Sequence, residues 1–155
     1  MTIREIEGAL DAQGLRVAVV CARFNDFIVA SLLRGASEAW ARRGGDPGEL
    51  LVVRVPGAFE LPVAARRLAA SGEYSAVVAL GCVIRGDTAH FDYVAGEAAR
   101  GIGQVATDTG VPVVFGVLTV ENVEQAIERA ATSRMNKGGE AMDVAIEMAD
   151  LFRRI

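Results

Sequence analysis

Apolar runs and amphipathic segments alternate along the whole chain. Leu15-Arg16-Val17-Ala18-Val19-Val20-Cys21 reads as a buried strand. Asp26 to Arg43 follows with helical spacing, which places Ile28, Leu32 and Ala36 in one stripe that continues to Trp40. The cluster Gly44-Gly45-Asp46-Pro47-Gly48 stops this helix. Leu50 to Val55 is a second strand, broken by Pro56-Gly57. Phe59 to Ser71 is a helix that tolerates Pro62 in its first turn. Ala76 to Gly81 is the third strand, and a loop from Cys82 to Thr88 leads into a long helix from Ala89 to Thr109. Val111 to Val117 is the fourth strand. Helical segments at Asn122–Ala131 and Gly139–Phe152 close the chain, separated by Met135-Asn136-Lys137-Gly138-Gly139.

Strands with continuous apolar runs, each followed by a helix, belong to parallel sheets covered on both faces. The expected class is α/β: a three-layer α/β/α sandwich with a four-stranded parallel sheet and right-handed crossovers. No linker, repeat or low-complexity stretch divides residues 1–155, so one domain is expected. Residues 1–13 fit no place in this core and read as an N-terminal arm. Its Ile3, Ile6 and Leu10 either add to a neighbouring subunit or fray.

Composition narrows the function classes. The chain has 52% hydrophobic and 23% charged residues, the balance of an ordinary globule rather than a disordered segment. Its net charge of −4 argues against a broad face for nucleic-acid phosphate. The charge-free apolar stretch from Tyr74 to Ile84 has 11 residues, whereas a membrane span takes ~20. Residues 1–7 have no apolar core after a basic start, so no signal peptide is expected. The only cysteines, Cys21 and Cys82, lie in apolar runs and read as buried thiols in a reducing cytoplasm. With a single histidine, no metal-binding spacing exists.

In open parallel sheets, ligands sit beyond the carboxyl ends of the strands. Four loops qualify: Ala22–Asn25, Pro56–Glu60, Val83–His90 and Leu118–Asn122. The third is the most informative. Gly86-Asp87-Thr88 precedes a helix, where free backbone N–H groups and the helix dipole suit an anion. Thr88 either caps that helix or binds the anion. His90 falls in the first turn, and imidazole is the side chain whose ordinary titration lies near neutrality. It is either a proton-transfer group or an exposed helix residue. Glu60 either serves the dipole of its helix or holds a ligand. Phe24 is either a core aromatic or a platform for a flat heterocycle. Arg129 and Lys137 flank the break before the last helix, either as solvated surface or as a pair that grips phosphate.

Other signals are weak. Gly101-Ile102-Gly103 opens like a dinucleotide fingerprint but lies inside a helix, with Ala106 where the third glycine belongs. There is no Gly-rich Lys-Ser/Thr phosphate loop and no Gly-x-Ser-x-Gly elbow. Condensation or elimination between reactive substrates suits this inventory best.

Taken together, Ala22-Arg23-Phe24-Asn25, Val55–Pro62, Gly81–Asp92, Phe115–Thr119, Glu124–Ala130 and Asn136-Lys137-Gly138 resemble the 6,7-dimethyl-8-ribityllumazine synthases in order and spacing, from about Gly8 to Phe152. The resemblance implies a flavodoxin-like fold and a cofactor-free transferase of riboflavin biosynthesis. It would join 5-amino-6-(D-ribitylamino)uracil to 3,4-dihydroxy-2-butanone 4-phosphate, releasing phosphate and water. It implies that Phe24 stacks on the pyrimidine. Asn25, Ala58, Phe59 and Glu60 would hold the ribityl chain, and Val83 and Ile84 would line the ring pocket. Gly86, Asp87 and Thr88 would bind phosphate with Arg129, Asp87 through its backbone N–H, and His90 would move protons. Phe115, Arg129 and Lys137 would come from the neighbouring subunit.

The same resemblance implies a homo-oligomer built from pentamers, with a sixty-subunit shell favoured by the short loop before the last helix and the lack of proline before Pro47. Riboflavin synthase becomes a candidate partner. One departure stands out: Ala131-Thr132-Ser133-Arg134-Met135 replaces the family's usual Gly-Thr-Lys-x-Gly, with loop length unchanged. Two other readings are a binding module that keeps the fold without turnover, and a flavodoxin-like electron carrier. The carrier would need a Ser/Thr-rich phosphate loop after the first strand, which Ala22–Asn25 lacks.

Overall fold

The computed structural model describes residues 1–155. Four strands, β1 (Val17–Ala22), β2 (Leu50–Val55), β3 (Ala76–Ile84) and β4 (Val113–Val120), form one parallel sheet in the order β2-β1-β3-β4. This is the doubly wound, flavodoxin-like order. Five helices cover it: α1 (Asp26–Arg42), α2 (Leu61–Ala70), α3 (His90–Thr109), α4 (Val123–Ala130) and α5 (Lys137–Phe152).

Strand alternation builds two cores. Val17, Val19 and Cys21 of β1, with Val78, Leu80 and Cys82 of β3, pack under α1, α4 and α5 around Trp40, Leu32, Met142 and Ile146. Val20, Ala22, Val77, Ala79 and Val83 face the other way and pack under α2 and α3 with Leu61 and Ile102. β1 is buried at every position, as a central parallel strand should be.

Several boundaries differ from the sequence reading, each for a physical reason. The β3–β4 ladder continues through Gly81↔Val117 to Ile84↔Val120, so Val83, Ile84 and Leu118 are strand residues rather than loop. The helix read from Phe59 begins at Leu61, after a 3-10 turn at Ala58–Glu60. Helix α5 begins at Lys137, not Gly139. Asn136 adopts φ 49, ψ 50, and its side chain accepts the N–H of Gly139. Gly138 and Gly139 lie inside the first turn because α1 crosses there. A Cβ at Gly138 would sit 1.9 Å from the Leu32 carbonyl oxygen. The two glycines that read as a helix break are a helix–helix contact.

The arm is also only partly an arm. Ala12 is fully buried in the first core, and Leu15 is nearly so. Gly8 lies on the backbone of α5, where a Cβ would meet the Glu147 carbonyl oxygen at 2.0 Å. The Ala9 N–H donates to Asp150 at 2.7 Å, and Arg153 donates to the carbonyls of Gln13 and Asp11. Residues 8–15 therefore belong to the chain's own fold, while residues 1–7 are exposed.

Candidate active site

The carboxyl ends of β1 and β2 lie side by side, and their backbone ladder runs past the strands. Arg23 N–H donates to the Val55 carbonyl and Phe24 N–H to that of Pro56. This brings Phe24 to Gly57. The glycine is extended (φ −148), so its backbone needs no special residue; its missing side chain does the work. A Cβ there would meet Phe24 Cδ2 at 2.6 Å and Glu60 Oε1 at 3.4 Å. The ring and the carboxylate thus share one bare backbone face.

Helix α3 closes this corner from the other side. Phe24, Gly57, Ala58, Phe59, Glu60, His90, Tyr93 and Val94 line a pocket of about 410 Å³. Phe24 is 68% exposed, Phe59 55% and Tyr93 73%, far more than aromatic residues held in a core. Phe24 is therefore no core aromatic, and His90 is the first residue of α3. The His90 N–H donates to Thr88 Oγ1 at 3.3 Å, so the Thr88 hydroxyl organises the turn into α3. Ala89, not Thr88, is the capping position. Gly86, Asp87 and Thr88 form the exposed turn leading into the helix.

Asn25 is set differently. It sits in the left-handed region (φ 60, ψ 43) before α1, and its Nδ2 donates to the Cys82 carbonyl at 2.8 Å. One end of this amide braces β3, which leaves Oδ1 as its remaining acceptor. Val83 belongs to the second core and Ile84 packs against the first, so they support the floor of this end of the sheet.

A second pocket, of about 330 Å³, lies at the opposite end of the strand order, along β4. Phe115, Thr119, Arg129, Lys137 and Glu140 are among its lining residues, with Val114, Leu118 and Val144 beneath. It shares no residue with the first pocket. Lys137 Nζ pairs with Glu140 at 3.0 Å. Arg129 pairs with no carboxylate; its Nη1 donates to the Gln125 carbonyl at 3.2 Å. The loop that departs from the family pattern is tied to α4, because Arg134 pairs with Glu128 at 3.3 Å and Met135 N–H donates to the Glu128 carbonyl.

The structure therefore gathers eight of the expected residues into two groups, Phe24, Ala58, Phe59, Glu60 and His90 in one and Phe115, Arg129 and Lys137 in the other, whereas Asn25, Val83, Ile84 and the Gly86–Thr88 turn line neither pocket. Sequence reasoning missed Tyr93 and Val94, which follow His90 by one helical turn, and Glu140, which follows Lys137 by three residues. That i, i+3/i+4 spacing was the available signal. Burial pushes the thiols of Cys21 and Cys82 up to about 11, so neither is a poised nucleophile. No cluster of three or more His, Cys, Asp or Glu side chains is placed to hold a metal ion. The Gly101-x-Gly103 pair lies within α3, where Gly101 admits Pro62 of α2; a Cβ would meet Pro62 Cγ at 2.7 Å.

The chain is an α/β protein with a doubly wound sheet, an aromatic-and-imidazole pocket at one end of the strand order and a cationic pocket at the other. Residues 14–153 match the family model described as 6,7-dimethyl-8-ribityllumazine synthase. Proteins of that name from Chlorobium phaeobacteroides and Pelodictyon phaeoclathratiforme are each 53% identical to this chain. The first aligns over 99% of both chains and the second over 100% of both. One from Chlorobium chlorochromatii is 52% identical over the full length of both. The chain belongs to the 6,7-dimethyl-8-ribityllumazine synthase family.

Proposed function

We propose that this chain is the transferase that condenses 5-amino-6-(D-ribitylamino)uracil with 3,4-dihydroxy-2-butanone 4-phosphate, releasing phosphate and water, in riboflavin biosynthesis. The observation that carries the site reading is the division of the binding surface into two complementary pockets on one chain. A flat ring and a polyol suit the first, with Phe24 as platform and Ala58, Phe59 and Glu60 along the polyol; Asn25 supports from its brace on β3, above Val83 and Ile84. An anion suits the second, where Arg129 is free of any carboxylate and Lys137 lies close by.

A complete site then needs two copies: the first pocket of one chain faces Phe115, Arg129 and Lys137 of its neighbour. The phosphate would lie between that arginine and the N–H groups of Gly86, Asp87 and Thr88. The 5-amino group attacks the ketone and water leaves to give an imine, phosphate leaves as an anion, and the ribitylamino nitrogen then closes the second ring with loss of a second water. Arg129 and the turn stabilise the charge that grows on the departing oxygen. His90, at the lip of the pocket, moves protons in these steps. Holding two reactive molecules in one orientation supplies much of the rate.

A ring closes such head-to-tail contacts, and five chains per ring is the assembly we propose, with twelve rings in a shell and riboflavin synthase as a partner of that assembly. The free stretch at residues 1–7, with Ile3 and Ile6, is suited to pair with a neighbour. The edge strand β2 offers exposed Leu51 and Val52 for such pairing. Two free buried thiols suit a reducing, cytoplasmic setting, and no helix is long and apolar enough to cross a membrane. The test is direct. Purified protein mixed with both substrates should produce lumazine absorbance and equimolar phosphate. Tight binding of the lumazine without turnover would favour the binding-module reading instead.

A further inference from the structure

Arg85 stands between the two pockets and belongs to neither. Its guanidinium carbon lies 4.3 Å from the centroid of the Phe91 ring. Its Nε pairs with Glu121 at 2.9 Å and its Nη1 with Asp92 at 3.5 Å. Its backbone N–H donates to the Val120 carbonyl at 2.9 Å. Two carboxylates and a ring thus occupy the side chain, so it is poorly disposed to receive an anion itself, although it directly precedes Gly86-Asp87-Thr88.

The contacts continue beyond Glu121. The Glu121 N–H donates to Gln125 Oε1 at 2.8 Å, and the Gln125 N–H donates to Asn122 Oδ1 at 2.8 Å. The Gln125 carbonyl then accepts Arg129 Nη1 at 3.2 Å. A connected path therefore runs from the turn before α3, through Arg85, Glu121 and Gln125, to the free arginine on α4.

We propose that Arg85 is a positioning residue: through Glu121 and Gln125 it fixes Arg129, and through Phe91 and Asp92 it fixes the turn at Gly86–Thr88. This rests on the reading of those groups as the phosphate-holding elements. The ion pairs are largely exposed, with side chains 42–63% accessible, so their worth to folding is small. What they set is direction, because a guanidinium held on a ring and by two carboxylates has one orientation. Within one protomer the same strut serves two sites, since the turn works in this chain's own pocket and Arg129 in that of the neighbour.

The experiment compares the intact assembly of the wild type with R85M, E121Q and the double variant. Both KM values, kcat and inhibition by inorganic phosphate are measured. Each single change should raise the KM for the phosphorylated ketone about three- to tenfold and weaken phosphate inhibition in step. The KM for the pyrimidine and the melting temperature should stay put. The double variant should match the stronger single, because both cut one path. R34A, which breaks the comparable exposed Arg34–Glu38 pair, should change nothing. An unchanged ketone KM, equal shifts for both substrates, or multiplying effects in the double variant would each overturn the proposal. Wild-type protein that makes no lumazine would instead remove the reading beneath it.

Discussion

The Cδ2–Cε2 edge of Phe24 occupies the space that a side chain at Gly57 would fill. This contact ties the end of β1 to the end of β2 and leaves most of the ring exposed. Gly57→Ala should swing the ring outward rather than unfold the chain, since Phe24 is already mostly exposed. The KM for the pyrimidine substrate should rise about three- to tenfold, the range of an aromatic stacking contact. The KM for the phosphorylated ketone should hold. Steady-state kinetics with each substrate varied in turn checks both.

His90→Ala should lower kcat by about 10²–10⁴-fold, the usual contribution of a positioned acid–base group. Its backbone N–H, not its ring, donates to Thr88 Oγ1, so the turn and the assembly should survive. Lumazine absorbance and light scattering measure the two outcomes. A rate equal to wild type would remove His90 from the mechanism.

Arg129→Ala should weaken use of the phosphorylated ketone by about ten- to a hundredfold, as expected for a lost charged hydrogen bond. Pyrimidine binding should be unaffected. If each chain lends its arginine to a neighbour, mixing this variant with His90→Ala chains should restore part of the activity, because some contacts then pair an intact first pocket with an intact second one. Equal losses for both substrates would mean that Arg129 is a scaffold residue.

Asp150 is almost wholly buried. The Ala9 N–H, together with Arg154 and Arg153, holds its carboxyl well below the usual carboxylate range. A depressed value stabilises the fold above the unfolded carboxyl's ~3.9 and loses that stabilisation as the pH falls below it. Wild-type urea midpoints should drop below about pH 4, whereas Asp150→Asn should start lower and change less. Hydrogen exchange at Ala9 and Ala12 should accelerate in the variant.

Cys21 and Cys82 titrate in the opposite sense. Burial keeps both thiols protonated to about 11 in the fold, against ~8.5 in an unfolded chain. Stability is fully present below pH 8.5 and declines as the pH climbs toward 11. Ellman's reagent at pH 8 should label the native protein slowly and the urea-unfolded protein at once.

The layers were legible because the apolar strands and striped helices repeat with clear periods. Trp40 and Leu32 fall in the core as the α1 stripe requires. Glycines were not legible. Pro56-Gly57 and Gly138-Gly139 read as breaks, yet they mark places where a ring or a crossing helix takes the room of a Cβ. The ends of β3 and β4 at Val83, Ile84 and Leu118 are not legible in sequence, because ladder pairing past an apolar run depends on the partner strand. Ala12 of the core is not legible either, because a single small residue carries no period. Phe24, Glu60 and His90 were found from position alone, at strand ends and a helix start. Their grouping in one pocket, apart from Arg129 and Lys137, required the folded chain.

Because Gly8 and Ala9 are clasped to the last turns of α5, the residues ahead of them leave the fold at one fixed point beside the end of that helix. Any neighbour that receives Ile3 and Ile6 must bring its mating edge to that point, so the clasp sets where on the surface two copies can meet. A cargo spliced ahead of the clasp would emerge at the same place.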